Sequence, residues 1–125
     1  MKRMVRGDSL RFLDDNGNTV AELVEKKADN NTWIISIRGS VSNDCAYDIS
    51  DELFAVISAG RGIILDMGET TYVSSTFAEM LVQLQIRMES TDFESMPIRN
   101  MPSGVFQSLK ERGCITSLDY ELKED

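Results

Sequence analysis

The sequence predicts an α/β protein built around a mixed β-sheet. Short runs rich in β-branched and aromatic residues fill the first third of the chain, and three later segments carry apolar residues at helical spacing, separated by short apolar runs. Such alternation is typical of parallel strands joined by helical crossovers. We therefore predict strands near 9–14, 19–26, 32–38, 62–67 and 97–100, and helices near 44–59, 75–89 and 103–112.

The N-terminal region is predicted to form an antiparallel hairpin over about 9–27. Asn16 and Gly17 favour a type I′ turn, because both central residues of that turn need a positive φ. A two-residue turn fixes the register between the strands. The predicted pairs are Asp15 with Asn18, Leu13 with Val20, Arg11 with Glu22 and Leu10 with Leu23. A third strand follows, and Gly39 is expected to mark its end.

The first predicted helix is amphipathic. Asn43 or Asp44 is expected to cap its start, and Gly60 is expected to follow its end. Its apolar face consists of Ala46, Ile49, Leu53 and either Val56 or Ile57. Its acidic residues are Asp44, Asp48, Asp51 and Glu52, which form a solvated face and, secondarily, a candidate docking surface for a basic partner.

The middle helix carries the clearest core pattern. Its start matches the capping box T-x-x-E at Thr76 and Glu79. Its core stripe consists of Phe77, Met80, Leu81, Leu84 and Met88. Gly113 closes the third helix, so the mixed sheet is expected to pack against three or four helices. The fourth depends on the segment 115–122, which is compatible with a last strand or with a short helix.

Length and charge restrict the classes of function. A chain of 125 residues fits a single domain over 1–125. Its 13 Lys and Arg against 21 Asp and Glu give a net charge of -8, which opposes long contacts with nucleic acid or anionic lipid. Histidine is absent, and with it the commonest general base and zinc ligand. We therefore expect a cytoplasmic protein without cofactor, metal site, membrane insertion or enzymatic activity.

Three polar or reactive side chains are predicted to be structural. Cys45 and Cys114 lack the CxxC spacing of redox or zinc sites and suit small core residues in a reducing compartment. Asp66 has no second carboxylate in the adjacent loop to complete a magnesium site. We expect its carboxylate to accept backbone N–H bonds and so order the loop that follows.

The chain contains an apolar strand pattern at 33–41, a strand followed by two serines and an apolar helix at 62–84, and a helix closed by glycine at 101–113. Together these three segments resemble the STAS domain family, which includes bacterial anti-sigma factor antagonists and the cytoplasmic domains of sulfate-type transporters. The segment 62–84 (GIILDMGETTYVSSTFAEMLVQL) is similar to the family's apolar strand ending in Asp, followed by a loop and an Asp-Ser-Ser-Gly stretch that opens a helix. The segments 33–41 (WIISIRGSV) and 101–113 (MPSGVFQSLKERG) resemble an upstream strand and the closing helix. The family-like core therefore covers about 32–120.

The resemblance assigns expected roles to the start of the middle helix. Ser74 and Ser75 match the two serines of the family motif, and Ser75 matches the phosphorylatable one. Val73 and Thr76 replace the family's Asp and Gly, and Ser42 replaces an acidic residue that often follows the upstream glycine. A serine at this place is also an ordinary helix cap, and the free N–H groups of a helix start stabilise a phosphate as well, so the two roles are compatible.

The resemblance implies a regulatory protein-binding module like an anti-sigma factor antagonist. It would switch partners with a serine kinase or anti-sigma factor, under control of phosphorylation at Ser75 or Ser74. The candidate partner surface consists of Thr76, Glu79, Asp44 and Asp48. The alternative is a phosphorylation-independent assembly subunit of a stressosome-like or lipid-transport-like complex, and an enzyme using Ser74, Ser75 or Cys114 is a distant third. We expect a monomer or a weak homodimer.

Overall fold

The computed structural model describes residues 1–124 and shows one seven-stranded sheet with three α-helices. The strands are β1 (Lys2–Arg6), β2 (Ser9–Leu13), β3 (Thr19–Lys27), β4 (Thr32–Val41), β5 (Gly62–Val73), β6 (Ile98–Met101) and β7 (Tyr120–Leu122). The helices are α1 (Asn43–Ser58), α2 (Ser75–Glu89) and α3 (Ser103–Glu111), with a 3₁₀ turn at Ile115–Ser117. The predicted α/β class with a mixed sheet is confirmed.

The sheet has an antiparallel half and a parallel half. Its strands lie side by side in chain order, antiparallel from β1 to β4 and parallel from β4 to β7. The parallel strands are joined through α1, α2 and α3 in turn. Because each connection advances in the same direction along the sheet, right-handed crossovers place all three helices on one face.

The core lies between that face and the helices. Ile35 and Ile37 of β4 are buried, whereas Ser36 and Arg38 between and beside them are not. This alternation follows from the two-residue period of a strand. Of the stripe predicted for α2, four side chains are buried and Met80 is partly buried, which confirms the prediction: the buried ones are Phe77, Leu81, Leu84 and Met88.

Part of the predicted hairpin register is confirmed. The two pairs farthest from the turn, Leu10 with Leu23 and Arg11 with Glu22, are as predicted. The register then shifts between Phe12 and Leu13, so that Leu13 pairs with Thr19 and not with Val20. The predicted pairing near the turn is therefore wrong.

The cause lies in the turn itself. A type I′ turn is wrong here, because Gly17 has a φ of 81° whereas Asn16 does not have a positive φ. The Gly17 N–H donates to Asp14 O over 3.0 Å, and the Asp14 N–H donates to Asn18 O over 2.9 Å. Asp14 Oδ1 also accepts the N–H groups of Asn16 and Asn18, each at 2.9 Å. This carboxylate stabilises a three-residue loop in place of the predicted two-residue one, so the predicted Asp15 and Asn18 pair is absent.

The first strand, β1, was not predicted. It pairs with β2 through a two-residue turn at Gly7 and Asp8, and Gly7 has a φ of 61°. Glycine at the first central position is the signature of a type II′ turn. The β1 sequence, KRMVR, lacks the alternation of apolar and polar residues from which strands are predicted, and all five residues are exposed.

Strands β4 and β5 are both longer than predicted. Gly39 does not end β4; it adopts a φ of 86° at a bulge, and the strand continues to Val41. A Cβ at position 39 would collide with the carbonyl oxygen of Val20, so glycine is required there. β5 continues past residue 67 to Val73, and the buried Thr70 hydroxyl donates to Ile37 O over 2.7 Å.

The C-terminal segment contains both a turn and a strand. The 3₁₀ turn at Ile115–Ser117 is followed by β7, which extends the parallel half of the sheet. This settles the choice between strand and helix for 115–122, and Asp125 lies outside the described residues. Across residues 1–124, none of the helices combines the length and apolar character that crossing a bilayer requires.

Candidate functional site at the start of the second helix

The helices α1 and α2 begin at the same edge of the sheet, the one formed by the C-terminal ends of the parallel strands. β4 and β5 are parallel neighbours whose last residues, Val41 and Val73, lie side by side in the register. The N–H of Ser74 donates to Val41 O over 2.9 Å and continues this pairing by one residue. The chain therefore presents two helix N-termini, at Ser42 and Ser74, along one edge. In α/β folds this edge commonly carries ligands and partners.

Ser74 is the N-cap of α2. The Phe77 N–H donates to Ser74 Oγ over 3.2 Å, and Ser74 O accepts the Ala78 N–H over 2.9 Å. The side chain is buried, with 2% of its surface exposed. The predicted capping box of Thr76 and Glu79 is therefore wrong, because the helix begins at Ser75, one residue before Thr76, and Ser74 already fills the capping position.

Ser75 is the first residue of α2 and is exposed. The first N–H groups of a helix point outward and carry about half a positive charge in sum. No acidic side chain lies in the first turn of α2 to offset that charge. The structure thus separates the two neighbouring serines: the hydroxyl of Ser74 is engaged inside the protein, and Ser75 lies at the surface of a positively polarised helix end.

Two solved structures resemble this arrangement of elements. An anti-sigma factor antagonist from Mycobacterium paratuberculosis has a TM-score of 0.65 at 10% identity, with 80% of this chain and 84% of that chain covered. The Bacillus cell fate determinant SpoIIAA in its phosphorylated form has a TM-score of 0.60 at 11% identity, with 79% of this chain and 90% of that chain covered. The fold is STAS-like. No protein-family model and no curated protein matches the sequence.

The two departures from the STAS motif have clear positions in this STAS-like fold. Val73, in place of the family's Asp, is 1% exposed and belongs to the core. Thr76, in place of the Gly, is half-buried in the first turn of α2. An apolar residue at position 73 is therefore explained by burial at the end of β5.

The remaining predicted surface residues lie on both helices. Glu79 is exposed on α2, Asp44 is exposed in the first turn of α1, and Asp48 is half-buried one turn further on. The cap predicted for α1 is wrong, because Ser42 occupies the N-cap position and Asn43 and Asp44 are already helical. Gly60, with a φ of 80°, follows the C-cap of α1 as predicted.

Two exposed tyrosines belong to the same edge and were missed in the sequence. Tyr72, next to the buried Val73, has 48% of its surface exposed, and Tyr47 in α1 has 60% exposed. Exposed tyrosine is enriched at protein interfaces because it combines a large apolar ring with a hydroxyl and few rotatable bonds. The period of two in β5 is the signal that could have found Tyr72, since a residue beside a buried Val73 points to the opposite face.

Asp66 acts as predicted, although the segment after it is strand and not loop. Its Oδ1 accepts the Gly68 N–H over 2.9 Å, and the side-chain amide of Asn100 lies 3.4 Å from both carboxylate oxygens. These groups line an open polar cavity of about 530 Å³. Among residues 1–124, no group of three or more Cys, Asp or Glu side chains is arranged to hold a metal ion.

The two cysteines differ in exposure. Cys45 is buried beneath the start of α1, with its Sγ 3.7 Å from Ser42 O and 4.0 Å from Ser42 Oγ. Burial raises the pKa of this thiol, which disfavours the reactive thiolate. Cys114 is half-buried in the segment after α3. Both thiols are free.

Proposed function

We propose that this chain is a cytoplasmic regulatory module that binds a protein partner and acts like an anti-sigma factor antagonist. Phosphorylation of Ser75 by a partner serine kinase sets the affinity. The observation that supports this most is the exposed position of Ser75 at the first residue of α2, directly after a buried serine that already caps the helix.

The helix start accommodates a phosphate on Ser75. A phosphoserine carries a charge of about -1.5 to -2 near neutral pH. Free N–H groups and the helix dipole stabilise negative charge at this end, and the first turn contains no competing carboxylate. Because Ser74 and not Ser75 makes the capping hydrogen bond, modification of Ser75 leaves the cap intact. Of the two candidate serines, Ser75 is thus the one that this geometry favours.

The proposed partner surface lies where α1 and α2 begin, beside the paired ends of β4 and β5. Tyr72 and Tyr47 supply exposed aromatic area, and the surrounding groups are acidic or small. The acidic and small groups proposed for this surface are Thr76, Glu79, Asp44 and Asp48. Such a surface suits a partner with a basic rim and apolar pockets for the tyrosine rings. A phosphate added to Ser75 displaces closely packed partner groups, and this loss of packing is how phosphorylation would release the partner.

We propose binding rather than catalysis as the activity. The sequence contains no histidine to activate a serine or a thiol, and Cys45 is buried with a raised pKa. Ser74, the other nucleophile at this edge, is occupied by its capping bond.

Phosphorylation is tested by incubation with candidate serine kinases followed by intact-mass measurement. The wild-type chain and the Ser74→Ala variant should each gain one phosphate, and Ser75→Ala should gain none. Modification of Ser75→Ala at the wild-type rate would contradict the assignment to Ser75.

Partner control is tested by calorimetry with the partner that wild-type protein captures. Ser75→Asp should bind at least tenfold more weakly although its melting temperature is no lower than that of wild type, and Ser75→Ala should bind like the unmodified protein even after kinase treatment. Tyr72→Ala, which leaves Ser75 in place, should also weaken binding because it removes an aromatic anchor.

The phosphorylation-independent assembly subunit is the second candidate. Val73 and Thr76, where the family has Asp and Gly, favour it, because half of the four-residue motif differs. Equal binding of wild type and Ser75→Asp, together with no kinase acting on Ser74, Ser75 or Thr76, would select this candidate over the switch.

A further inference from the structure

The two free edges of the sheet carry opposite charge. β1 forms one edge and β7 the other, and neither has a neighbouring strand on its outer side within residues 1–124. The five residues of β1 include Lys2, Arg3 and Arg6, although the chain as a whole has a net charge of -8. On the opposite edge, Glu121 in β7 and Glu124 just after it outnumber the one cation between them, Lys123, whose ammonium group donates to Gly68 O over 2.8 Å. Unpaired strand edges of this kind are templates for pairing with another chain.

The side chains of β1 divide between two faces. Arg3 lies opposite the buried Phe12, and Val5 lies opposite the buried Leu10, so both are on the helix-covered face. Arg6 and the other even-numbered residues of β1 are therefore on the open face. Val5 has 71% of its surface exposed.

The side chains of β7 divide in the same way. The ring of Tyr120 packs against Phe106 of α3 at a centroid distance of 5.6 Å, which places Tyr120 on the helix-covered face. Leu122, two residues later, is on that face and is 51% exposed, while Glu121 is on the open face. Each edge therefore offers an exposed apolar side chain on the helix-covered face, Val5 or Leu122, and a charged side chain on the open face, Arg6 or Glu121.

The backbone groups of the two edges are also compatible. The Ile98 N–H donates to Asp119 O over 2.8 Å and the Lys123 N–H donates to Met101 O over 2.8 Å, so Leu122 between them directs its own N–H and C=O outward. In β1, the two-residue turn makes the Arg6 and Ser9 pair the hydrogen-bonded one, so Val5 directs its groups outward. Val5 and Leu122 thus agree both in face and in hydrogen-bonding direction.

We propose that copies of this chain associate head to tail, with β1 of one copy pairing antiparallel to β7 of the next. β1 runs opposite to the parallel strands, so this direction continues the sheet without inverting a copy. Setting Val5 opposite Leu122 places Arg6 opposite Glu121 and Arg3 opposite Glu124. One register therefore forms an apolar pair and two opposite-charge pairs.

The symmetric register that pairs all five residues of β1 with a second β1 is disfavoured. Antiparallel pairing of β1 with β1 about Met4 sets Lys2 opposite Arg6 and repels, since like charges directly opposite are destabilising. The head-to-tail contact joins two different surfaces and leaves a free edge at each end, so it grows into open chains. Strands this short bury little area, and we expect weak, concentration-dependent association.

Charge reversal tests the contact by sedimentation velocity over a concentration series. Arg6 and Glu121 suit this test because neither has an ion pair within residues 1–124, whereas Arg3 already binds Glu52 at 2.7 Å. The mean mass of wild type should rise with concentration and pass beyond the dimer. Arg6→Glu and Glu121→Lys should each remain monomeric, and an equimolar mixture of the two should associate again.

Several outcomes would overturn the proposal. Wild type that stays monomeric up to about millimolar concentration lacks the contact. Association that stops at a dimer shows a symmetric contact, and an Arg6→Glu variant that associates more strongly shows that the basic edge serves to keep copies apart. A mixture that stays monomeric rules out the pairing of Arg6 with Glu121.

Cross-linking tests the register directly. In a Cys114→Ser background, the double variant Val5→Cys with Leu122→Cys should form a ladder of disulfide-linked chains when diamide accepts the electrons, because directly opposed residues have the spacing that a disulfide needs. Met4→Cys with Leu122→Cys is the matched control, and it should form no ladder because its thiols lie on opposite faces. Equal ladders from both variants would contradict the register. The result is independent of Ser75 phosphorylation.

Discussion

The starts of α1 and α2 have the same backbone design but different electrostatics. Each helix follows the last residue of one of two paired parallel strands, and each has a serine at the N-cap with extended backbone. Ser74 accepts a hydrogen bond from the Phe77 N–H, whereas the Ser42 side chain makes no cap bond and its Oγ lies 4.0 Å from Cys45 Sγ.

The charge at the two helix starts differs as well. The first turn of α1 contains Asp44, and the first turn of α2 contains no acidic residue. The Asp44 carboxylate partly offsets the positive partial charge at the N-terminus of α1. The N-terminus of α2 has no such carboxylate and can therefore stabilise an added anion. Two equivalent positions in one architecture thus become different sites, because a carboxylate is present at one of them and absent from the other.

The largest expected effects concern the core under both helices, where the two should behave alike. Leu53 of α1 and Leu81 of α2 are both fully buried. Leu53→Ala and Leu81→Ala should each lower the free energy of unfolding by about 2 to 5 kcal/mol, measured by urea denaturation. A loss below about 1 kcal/mol at either position would mean that the helix concerned is not packed as described.

The two N-cap serines should differ in their contribution to stability, although the two core leucines contribute alike. Ser74→Ala removes the acceptor of the Phe77 N–H and should cost about 0.5 to 2 kcal/mol of stability. Ser42→Ala removes no capping bond and should change stability by less than about 0.5 kcal/mol. Equal losses in denaturant unfolding would show that both serines cap their helices and would remove the distinction.

An added negative charge at a helix start should change stability by a smaller amount, and the gain should be larger for α2 than for α1. Ser75 and Asn43 are the first residues of their helices, and both are exposed. Ser75→Asp should raise stability by about 0.3 to 1 kcal/mol at low salt. Asn43→Asp should gain less, because Asp44 already lies beside it and repels the new charge. Equal gains in thermal unfolding would show that Asp44 does not offset the charge of the α1 end.

The smallest expected effect is that Cys45, beneath the start of α1, does not react with a thiol reagent in the folded protein. Burial beneath this helix raises the pKa of Cys45, so its thiolate is scarce at neutral pH. A thiol reagent should modify Cys114 alone in the folded protein and both cysteines in denaturant, as counted by intact mass. Rapid labelling of Cys45 under native conditions would show that the first turn of α1 opens readily.

Much of the fold was predictable because it depends on local patterns. The helical spacing of Phe77, Leu81 and Leu84 gave α2 with the bounds that the structure shows, and β-branched runs located the central strands. The failures occurred where a local rule competed with a distant contact. The sequence predicts a strand end at Gly39. In the structure, Gly39 lies at a bulge within β4, where the close Val20 carbonyl leaves no room for a Cβ.

The candidate site likewise has features that local sequence predicts and features that only distant contacts decide. The pair of serines before an apolar helix was visible in the sequence, but which of them caps and which is exposed depends on where β5 ends, and that end is set by pairing with β4. Tyr47 and Tyr72 were missed because exposure of an aromatic ring is decided by what packs over it, which no local pattern records.

By itself, the sequence determined the α/β class, the three helices, the core faces of the first two and the acidic charge, since periodicity and composition act over a few residues. Only the tertiary structure decided that β1 pairs with β2, that Ser74 is buried beside an exposed Ser75, and that a basic and an acidic edge bound the same sheet. Those features depend on pairing between segments distant in the chain, where backbone hydrogen bonds and excluded solvent, and not local preference, fix each residue's surroundings.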